Sequence, residues 1–377
     1  MKKFLSVLIL LGVLLSLLAS CGHRHEYVEG KCTECGADDP VYASRYLRVL
    51  DLIEAGDYTT AYSLLGELGD YRDAGEMLTR FRFVPTKVVQ DTAGGILESV
   101  YSYGESNLPI GIFTTRYSGT DALVDRITDY VYDTSGRITK KTVTSDGEIE
   151  SVCDYEYGAD GRMTRMTETS ASGQETVTEH EYDGRGSLVK AVRNYPDGSV
   201  YTAEYTYDDM GRPTGKYYIG SSSMSTLSYE YVYDARGNLI TEINEHPYYG
   251  DGGRFVTNYT YDEKGVLTRK METHEGAGST VTEYEYDGAG RLLREVSDSS
   301  VRTYTYDEDG NRVKEVYAPT EGDGYVIEYA YDAYGNLIRR VYTGDDGGSE
   351  TIECDYRFVY IPSEIPEEIE ALFRVFE

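Results

Sequence analysis

The chain has 377 residues, and its 36 Lys plus Arg against 66 Asp plus Glu give a formal net charge of −30. A chain this acidic repels nucleic acid and anionic membrane surfaces, so we expect no nucleic-acid partner. The 39 Tyr exclude a disordered acidic tail, because chains that cannot bury apolar surface are poor in aromatic residues. Five Cys are too few for a disulfide scaffold of this length.

Residues 1–20 have the pattern of an export signal. Lys2 and Lys3 precede an apolar run at 4–18, which is shorter than the ~20 residues that a membrane-spanning helix needs. The sequence Leu-Ala-Ser-Cys that ends at Cys21 resembles a bacterial lipoprotein box. This resemblance implies cleavage before Cys21, lipidation of its thiol, and a lipid-anchored protein on the extracytoplasmic face of the cell membrane. The alternative is an ordinary signal with a chance Cys.

Residues 21–40 form a linker or a small metal knuckle that contains Cys and His. Cys32-x-x-Cys35 places two thiols on one tight turn, and His23 and His25 lie upstream. Zinc binds four N or S ligands in a tetrahedron, whereas a lipidated Cys21 is a poor ligand. The segment resembles short zinc-ribbon-like pieces, which implies one structural zinc and no other cofactor. The alternatives are a flexible linker and a disulfide between Cys32 and Cys35.

Residues 41–83 are rich in Leu and Ala, with apolar side chains at helical spacing. Gly56-Asp57-Tyr58 recurs as Gly69-Asp70-Tyr71, and in each copy Gly can end one helix and Asp can cap the next. The pattern resembles one tetratricopeptide-type helical hairpin plus a third helix. Such repeats normally stack on neighbours, so a single copy favours a helical cap on the next domain over a peptide-binding groove.

A repeat of about 25 residues dominates the chain from about 125 to 360. Most units contain Tyr-x-Tyr-Asp, with His180 in place of the first Tyr in one of them, and all nine have a Gly three residues after the Asp position. The second Tyr of the nine units are Tyr132, Tyr157, Tyr182, Tyr207, Tyr233, Tyr261, Tyr286, Tyr306 and Tyr331. The Gly of the same units are Gly136, Gly161, Gly186, Gly211, Gly237, Gly265, Gly290, Gly310 and Gly335. Self-similarity this regular indicates a repeat architecture.

One unit reads as a β-hairpin. Tyr-x-Tyr alternation puts both rings on one face of a strand. The Asp then begins a turn by accepting from backbone amides, and the Gly fits the left-handed position that closes a type I turn with a bulge. The residues that we assign to these turns and tyrosine ladders, with a structural role, are Tyr132, Asp133, Gly136, Tyr233, Asp234, Gly237, Tyr306, Asp307, Gly310, Tyr331, Asp332 and Gly335.

These units resemble the YD repeats of the RHS family, as in Tyr231-Val-Tyr233-Asp234-Ala-Arg-Gly237-Asn-Leu. Large members of that family wind such hairpins into a spiralling sheet that can enclose a toxin domain. Neither the family's core segment nor its variable toxin is recognisable here, which argues against toxin delivery. The resemblance, together with the periodicity, implies a mainly β fold built from a repeat sheet of about nine hairpins over 84–360. We expect a helical segment before that sheet and a short amphipathic helix at 361–377 after it.

We expect the sheet to be open, curved or spiralling. Nine hairpins give about eighteen strands, or roughly 85 Å of open sheet at ~4.8 Å per strand. Cys153 and Cys354 would then lie roughly 75 Å apart, far beyond the ~6 Å that a disulfide allows between Cα atoms. A bond between them would force the sheet to close. We favour the alternative, in which both are small apolar residues on the tyrosine face.

No catalytic motif is recognisable: the chain has no Gly-x-Ser-x-Gly, no P-loop and no His-Glu-x-x-His, and His180, His246 and His274 are scattered. We expect a non-catalytic cell-envelope lipoprotein whose repeat sheet binds an extracellular glycan or protein. The loops at 220–225 and 246–253 are the best candidates for recognition. The alternatives are a structural spacer or assembly protein without a ligand, an unrecognised hydrolase that uses a carboxylate pair, and a toxin-related role.

Overall fold

The structure, a computed structural model, describes residues 26–33, 36–118, 121–220, 227–245, 253–361, 367–373 and 375. The described residues form two compact units. The first draws on the described residues between 26 and 84, on 105–108 and on 357–361, and the second on the described residues between 85 and 104, between 109 and 356, and from 367 onward. The predicted signal at 1–20 lies outside the described residues.

The first unit is mostly helical. Its described residues form a two-stranded hairpin and three helices: β1 (Tyr27–Val28), β2 (Lys31–Cys32), α1 (Pro40–Ala55), α2 (Tyr58–Leu68) and α3 (Ala74–Leu78). Gly56 ends α1 in a left-handed conformation with φ 77°, and Asp57 caps α2 by accepting from the amide of Thr60 at 3.3 Å. At the second copy of the motif, Gly69 ends α2, but Asp73 rather than Asp70 precedes α3. None of the helices in the described segments is long and apolar enough to cross a membrane.

Apolar and aromatic side chains hold the first unit together. Val49, Ala61 and Leu65 are fully buried in its core, and the partly buried Phe358 and Tyr360 pack against the same cluster. The buried amide of Asn107 fixes this arrangement, since it donates to the hydroxyl of Tyr58 at 2.9 Å and to the carbonyl of Tyr360 at 3.0 Å. A buried polar side chain is tolerated where its hydrogen bonds are made in this way.

The second unit is a sheet of antiparallel strands, which also includes the strand residues 81–84 and 357–360 that belong to the first unit. The strands are β3 (Phe81–Thr92), β4 (Gly95–Tyr103), β5 (Pro109–Ser118), β6 (Asp121–Tyr132), β7 (Ile138–Ser145), β8 (Glu148–Tyr157), β9 (Met163–Ser170), β10 (Glu175–Tyr182), β11 (Leu188–Asn194), β12 (Val200–Tyr207), β13 (Pro213–Gly220), β14 (Leu227–Tyr233), β15 (Leu239–Glu245), β16 (Arg254–Tyr261), β17 (Leu267–His274), β18 (Gly278–Tyr286), β19 (Leu292–Ser297), β20 (Ser300–Tyr306), β21 (Arg312–Pro319), β22 (Tyr325–Tyr331), β23 (Leu337–Gly344) and β24 (Ser349–Tyr360). A fourth helix, α4 (Glu367–Leu372), lies within the range predicted for the C-terminal helix, 361–377.

The mainly β class is confirmed, but the open, curved or spiralling sheet was a wrong prediction. The 22 strands β3 to β24 form one closed antiparallel barrel, in which each strand pairs with the next and β24 pairs with β3. At this seam the hydroxyl of Thr86 donates to the carbonyl of Asp355 at 3.1 Å, and the amide of Gln90 donates to the carboxylate of Glu350 at 2.9 Å. Closure is favourable because it removes the unpaired edges that an open sheet leaves.

The count of nine hairpins was also too low, because two further pairs of strands complete the ring. One is the hairpin of β4 and β5, which carries Tyr101-x-Tyr103 but has Gly104 in place of Asp and Asn107, at φ 58°, in place of Gly. The other is the pair of β24 and β3, whose two strands come from opposite ends of the repeat region. The ring closes without a disulfide between Cys153 and Cys354, since both are buried free thiols.

Candidate functional site

Most repeat turns are organised by the Asp that follows the second Tyr, whereas Gly158 stands at this position in the turn after β8. In the turn after β6, the amide of Asp133 donates to the carbonyl of Arg137 at 2.9 Å, and the amide of Gly136 donates to the carbonyl of Asp133 at 3.1 Å. The carboxylate of Asp133 accepts from the amides of Ser135 and Arg137 at 2.8 and 3.0 Å. The strand register shifts by one residue between Val131 and Tyr132, which marks a β-bulge.

The same geometry recurs around the barrel. Gly237, Gly310 and Gly335 all have positive φ, between 82° and 94°. Asp234, Asp307 and Asp332 accept from the amides of Asn238, Asn311 and Asn336 at 2.8 to 2.9 Å. Only glycine adopts these left-handed angles without strain, so the Gly at this position is set by backbone conformation.

The second Tyr of a unit ties that unit to the preceding one. Tyr157 donates its hydroxyl hydrogen to the carbonyl of Ile138 at 2.7 Å, across the boundary between two hairpins. The pattern repeats from Tyr132 to Pro109, Tyr182 to Met163, Tyr207 to Leu188, Tyr261 to Leu239, Tyr306 to Leu292 and Tyr331 to Arg312, at 2.6 to 2.8 Å. These tyrosines therefore have a structural role in the ladder.

The turn carboxylates are held in their charged form. The pKa of Asp208 lies below its usual value because its carboxylate accepts from the backbone amide of Arg212 and is paired with the guanidinium of that residue, at 2.7 Å. The pKa of Asp234 is lowered first by the side-chain amide of Asn238 and then by backbone amides. A carboxylate with these partners stabilises the turn and is not a candidate proton donor.

The two faces of the sheet differ in burial. Tyr130 and Tyr155 are each less than a tenth exposed, whereas Val131, between the two tyrosines of its unit, is 54 % exposed. The tyrosines therefore lie on the more crowded face, which in a closed sheet is the concave one, and we refer to it as the tyrosine face. Buried Cys153 and Cys354 precede Tyr155 and Tyr356 by two residues, and strand alternation puts them on this face too.

Polar groups on the tyrosine face are mostly paired with one another. Buried Glu315 accepts from the hydroxyls of Tyr325 and Tyr329 at 3.2 and 3.3 Å and is ion-paired with Arg302 at 3.2 Å. Burial raises the pKa of Tyr325 and of Tyr329, so both phenols remain neutral donors at physiological pH. Hydrogen bonds and ion pairs of this kind stabilise the sheet.

One region of the tyrosine face has a different character. A cavity of about 620 Å³ lies on strands β15 to β18. Its lining residues are Glu242, Asn244, Phe255, Val256, Thr257, Tyr259, Glu272, Thr273, His274, Ala277, Gly278, Ser279 and Thr280. We call it the β15–β18 cavity. Its volume falls within the ~300–1,000 Å³ typical of small-molecule sites.

Two rows of side chains cross this cavity. The strand register places Thr257 opposite both Glu242 and Glu272, which gives a polar row. Phe255 is two residues before Thr257 on β16, and it lies opposite both Asn244 and His274. We call this second row, which contains the two rings, the aromatic row. Neighbouring strands are ~4.8 Å apart and alternate residues ~7 Å apart, so the two rows lie within the reach of one ligand.

The aromatic row forms a platform. The rings of Phe255 and His274 stack with centroids 4.3 Å apart and an interplanar angle of 10°. Phe255 is still 38 % exposed, although it lies on the more crowded face of the sheet. An exposed aromatic ring beside polar groups is typical of recognition surfaces.

Hydrogen-bonding capacity remains unused beside this platform. The side-chain oxygen Oδ1 of Asn244 and the ring nitrogen Nε2 of His274 are both buried and have no hydrogen-bond partner within the described structure. Buried polar atoms are paired in most proteins, and an unpaired one calls for an explanation. Both atoms belong to residues that line the cavity.

The polar row is acidic. Glu242 accepts from the hydroxyl of Tyr259 at 3.2 Å, and burial together with this carboxylate raises the pKa of Tyr259 to about 12. Glu272 is ion-paired with Lys270 at 2.9 Å. The lining therefore offers carboxylate oxygens, hydroxyls and a neutral phenol.

The predicted anchor and metal ligands fall mostly outside the described residues. This applies to Cys21, His23, His25 and Cys35, so only Cys32 of the predicted set is placed. Cys32 is buried at the end of β2, and its carbonyl accepts from the amide of Gly36 at 2.9 Å. Among the residues that the structure describes, no group of three His, Cys, Asp or Glu is placed to hold a metal.

Sequence patterns did not identify the cavity residues, although one of the two loops predicted for recognition is next to them in the sequence. The loop predicted for recognition at 246–253 connects β15 to β16, two of the strands that line the cavity, and its residues 246–252 lie outside the described part of the chain. The predicted loop at 220–225 is likewise outside it, apart from Gly220. Asn244, Phe255 and His274 come together only through strand register, which the sequence pattern alone does not show.

Comparison with known proteins gives one strong match. The family model described as Teneurin YD-shell matches residues 124–339, more than half of the chain. No curated protein matches the sequence. Among solved structures, the chain is similar to TcdB2-TccC3 without its hypervariable C-terminal region, with 15% identity, a TM-score of 0.39, and coverage of 74% of this chain and 16% of that one. It is also similar to a porin-like protein from Bacteroides uniformis, with 9% identity, a TM-score of 0.29, and coverage of 72% and 98%. The chain thus spans less than a fifth of the first of these proteins. Likenesses with scores this low carry no structural argument.

Proposed function

The chain belongs to the Teneurin YD-shell family, and from that premise we propose that it is a non-catalytic cell-envelope lipoprotein whose closed repeat sheet binds an extracellular glycan. Family membership supports a structural shell, in which most tyrosines serve the ladder between hairpins. The observation that carries the binding proposal is the β15–β18 cavity. Its lining contains the stacked rings of Phe255 and His274, and the buried atoms Oδ1 of Asn244 and Nε2 of His274 have no partner in the described structure.

A sugar ring fits the chemistry of this cavity. Its apolar face packs on an exposed aromatic ring, and its hydroxyls donate to and accept from nearby polar groups. Phe255 and His274 supply the platform, and Asn244 supplies an acceptor that lacks a partner. The carboxylates and hydroxyls of the polar row lie two residues further along the strands.

The polar groups of the cavity support binding without turnover. A hydrolase that uses two carboxylates needs one of them protonated as a general acid. Here Glu242 is held by the hydroxyl of Tyr259, and Glu272 is held by the ammonium group of Lys270. Both carboxylates therefore already accept a hydrogen bond or an ion pair from the protein, and in the proposed role they serve as acceptors for a ligand.

The proposed location rests on the N-terminal sequence. The charged start, the short apolar run and the Cys21 box support a lipid anchor on the extracytoplasmic face of the cell membrane. Labelled palmitate fed to cells should be incorporated into the full chain and not into a Cys21→Ala variant. Incorporation that persists in the variant would contradict the proposed anchor.

The binding proposal is tested by co-sedimentation of the mature protein, residues 22–377, with purified peptidoglycan and with envelope polysaccharide. Phe255→Ala is the test variant. Phe113→Ala is the matched control, because Phe113 is also an exposed phenyl ring, 42 % exposed, on a strand far from the cavity in sequence. We expect saturable binding that Phe255→Ala weakens and Phe113→Ala leaves unchanged.

Two results of this experiment would contradict the proposal. Absence of binding to every fraction would exclude a glycan ligand. Glycan recovered in shortened form would overturn the non-catalytic assignment, so the length of the recovered chains is measured alongside binding.

A structural spacer is the second candidate, and the ladder of tyrosine hydroxyls to carbonyls favours it, because the ladder explains the repeat without a ligand. Deletion of β12 and β13 together removes one complete hairpin away from the cavity. If the protein is a spacer, the deletion should only reduce the circumference of the barrel. If it is a glycan binder, the variant should keep its affinity for the glycan, because the cavity strands stay intact. Comparing envelope integrity and glycan affinity in this variant separates the two roles.

A further inference from the structure

We propose that the β15–β18 cavity selects glycans that carry free, protonated amino groups over the same glycans in N-acetylated form. This inference rests on the proposed function and specifies the class of sugar. It follows from the balance of donors and acceptors in the lining.

The lining is rich in acceptors. Glu242 and Glu272 contribute carboxylates, and Asn244 contributes a buried side-chain oxygen without a partner. None of the described residues that line the cavity is Lys or Arg. A ligand that donates several hydrogen bonds and carries positive charge satisfies such a lining, whereas an acetamido group presents a carbonyl that finds few donors.

Of the two carboxylates in the cavity lining, one is paired with a cationic side chain of the protein. Lys270 pairs with Glu272 at 2.9 Å, while the partner that Glu242 has among the described residues is the neutral hydroxyl of Tyr259, at 3.2 Å. The remaining titratable group that faces the cavity is His274, whose Nε2 has no partner in the described structure. One carboxylate is therefore available for an ammonium group.

The strand register places that carboxylate suitably. His274 covers one face of the Phe255 ring, so a sugar ring that packs on the other face lies on the Asn244 side, and the polar row begins ~7 Å away along the strands. An amino substituent that points along β16 thus comes near Thr257, with Glu242 on one side and Glu272 on the other. Donation from the ammonium group to Glu242 and to Oδ1 of Asn244 would satisfy both acceptors.

The charge of the whole chain acts in the same direction. A net charge of −30 attracts a polycation and repels anionic polysaccharide, so it speeds association of an aminoglycan and makes that step sensitive to salt. An N-acetylated glycan is neutral and has no such dependence.

The test compares two tetrasaccharides by isothermal titration calorimetry with residues 22–377: the tetramer of glucosamine, and the tetramer of N-acetylglucosamine. The measurement is made below the pKa of the amines and at low ionic strength. We expect the glucosamine tetramer to bind at least about tenfold more tightly, which corresponds to about 1.4 kcal/mol. Raising the salt concentration should weaken its binding and leave that of the acetylated tetramer unchanged.

Variants assign the preference to the cavity. Glu242→Gln should bring the two affinities to within about twofold of each other, because it replaces a charged acceptor by a neutral one. The control is Glu283→Gln on β18, a residue that lies opposite Arg269 and whose side chain, by strand alternation, is on the other face from Thr280 and Thr282. It should leave the preference intact. Thermal unfolding of both variants verifies that they fold, and the salt series on the unmodified chain remains decisive if one does not.

The possible failures are distinguishable. Equal affinity for the two tetramers would overturn this inference while the proposed function stands. Binding of an envelope polysaccharide without binding of either tetramer would also overturn it. Absence of binding to all of these glycans would overturn the proposed function itself.

Discussion

The guanidinium group of Arg137 lies over the ring of Tyr157, 4.6 Å from its centroid, although the two residues belong to successive hairpins. Arg137 is also held by the carboxylate of its own turn, with Nε 2.8 Å from Oδ2 of Asp133. The hydroxyl of Tyr157 in turn donates to the carbonyl of Ile138, one residue after Arg137. Turn and ladder are therefore one continuous contact: an Asp orients an Arg, the Arg covers the next Tyr, and that Tyr bonds back to the first turn.

The hydroxyl of Tyr157 should contribute measurably to stability. Tyr157→Phe leaves the carbonyl of fully buried Ile138 without this donor, and we expect a loss of about 1–2 kcal/mol in the free energy of unfolding. The measurement is denaturant unfolding followed by circular dichroism. Tyr201→Phe, at a half-exposed tyrosine outside the ladder, is the control and should change stability little. Equal effects of the two substitutions would contradict the role of the ladder.

Replacing the Gly at the left-handed turn position should cost stability, even where space for a side chain is available. Gly335 has φ 82°, and no atom lies within 4 Å of where a Cβ would stand. Gly335→Ala therefore isolates the backbone effect, and we expect it to lower the free energy of unfolding by about 1–2 kcal/mol. Gly184→Ala is the matched control, because it also meets open space but without a positive φ. A neutral Gly335→Ala would show that this turn relaxes freely.

Stability should fall on the acid side. The pKa of Asp208 and of Asp287 is lowered, first by the backbone amides of Arg212 and Arg291 and then by their guanidinium groups. A carboxylate with a folded pKa below its unfolded value adds stability above the unfolded value, and this stability is lost as the pH falls through the folded value. Unfolding midpoints measured between pH 7 and pH 2 should therefore decline steadily below about pH 4. Asp208→Asn should flatten this decline, and an unchanged profile would count against the turn carboxylates as its cause.

Stability should also fall at strongly alkaline pH. Burial, followed by the nearby thiol of Cys354, raises the pKa of Tyr101 to about 12. A group with a raised folded pKa contributes stability below its unfolded value, about 10 for Tyr, and loses that stability as the pH rises to the folded value. Absorbance titration should show tyrosinate formation that extends to about pH 12 and is accompanied by unfolding. Tyr101→Phe should remove one late-titrating phenol, whereas Tyr334→Phe, at a largely exposed ring, should not.

The Cys and His segment should bind one zinc ion per chain if His23, His25, Cys32 and Cys35 act together. Metal analysis of the mature protein purified without chelator gives the stoichiometry. Cys32→Ser should abolish zinc binding, whereas His180→Ala, elsewhere in the chain, should leave it unchanged. Zinc absent from the unmodified protein would favour a linker or a Cys32–Cys35 disulfide, and a thiol assay then distinguishes these two.

The local structure of each hairpin was more predictable from the sequence than the closure of the whole sheet into a barrel. Tyr132, Asp133 and Gly136 interact within a few residues, so spacing alone indicates a strand, an Asp-centred turn and a left-handed Gly. The contact between Gln90 and Glu350 joins residues 260 positions apart, and no local pattern encodes it. The hairpin at Tyr103 escaped detection because Asn107 takes the place of the usual Gly.

The candidate site was less predictable than the fold, for the same reason. Phe255 and His274 are nineteen positions apart, and they stack only because β16 and β17 pair in one register. A shift of that register by one residue would turn each side chain to the other face of the sheet. The sequence located the loop between β15 and β16 but not the residues on the strands beside it.

The seam between β3 and β24 sets a rule for how this protein can vary. A ring of antiparallel strands closes only with an even number of members, so its circumference changes in steps of two strands, or roughly 10 Å. One repeat of about 25 residues supplies one such step. Duplication or loss of a single repeat therefore yields a wider or narrower ring with the same seam, whereas loss of half a repeat leaves two parallel strands facing each other where the ring must join.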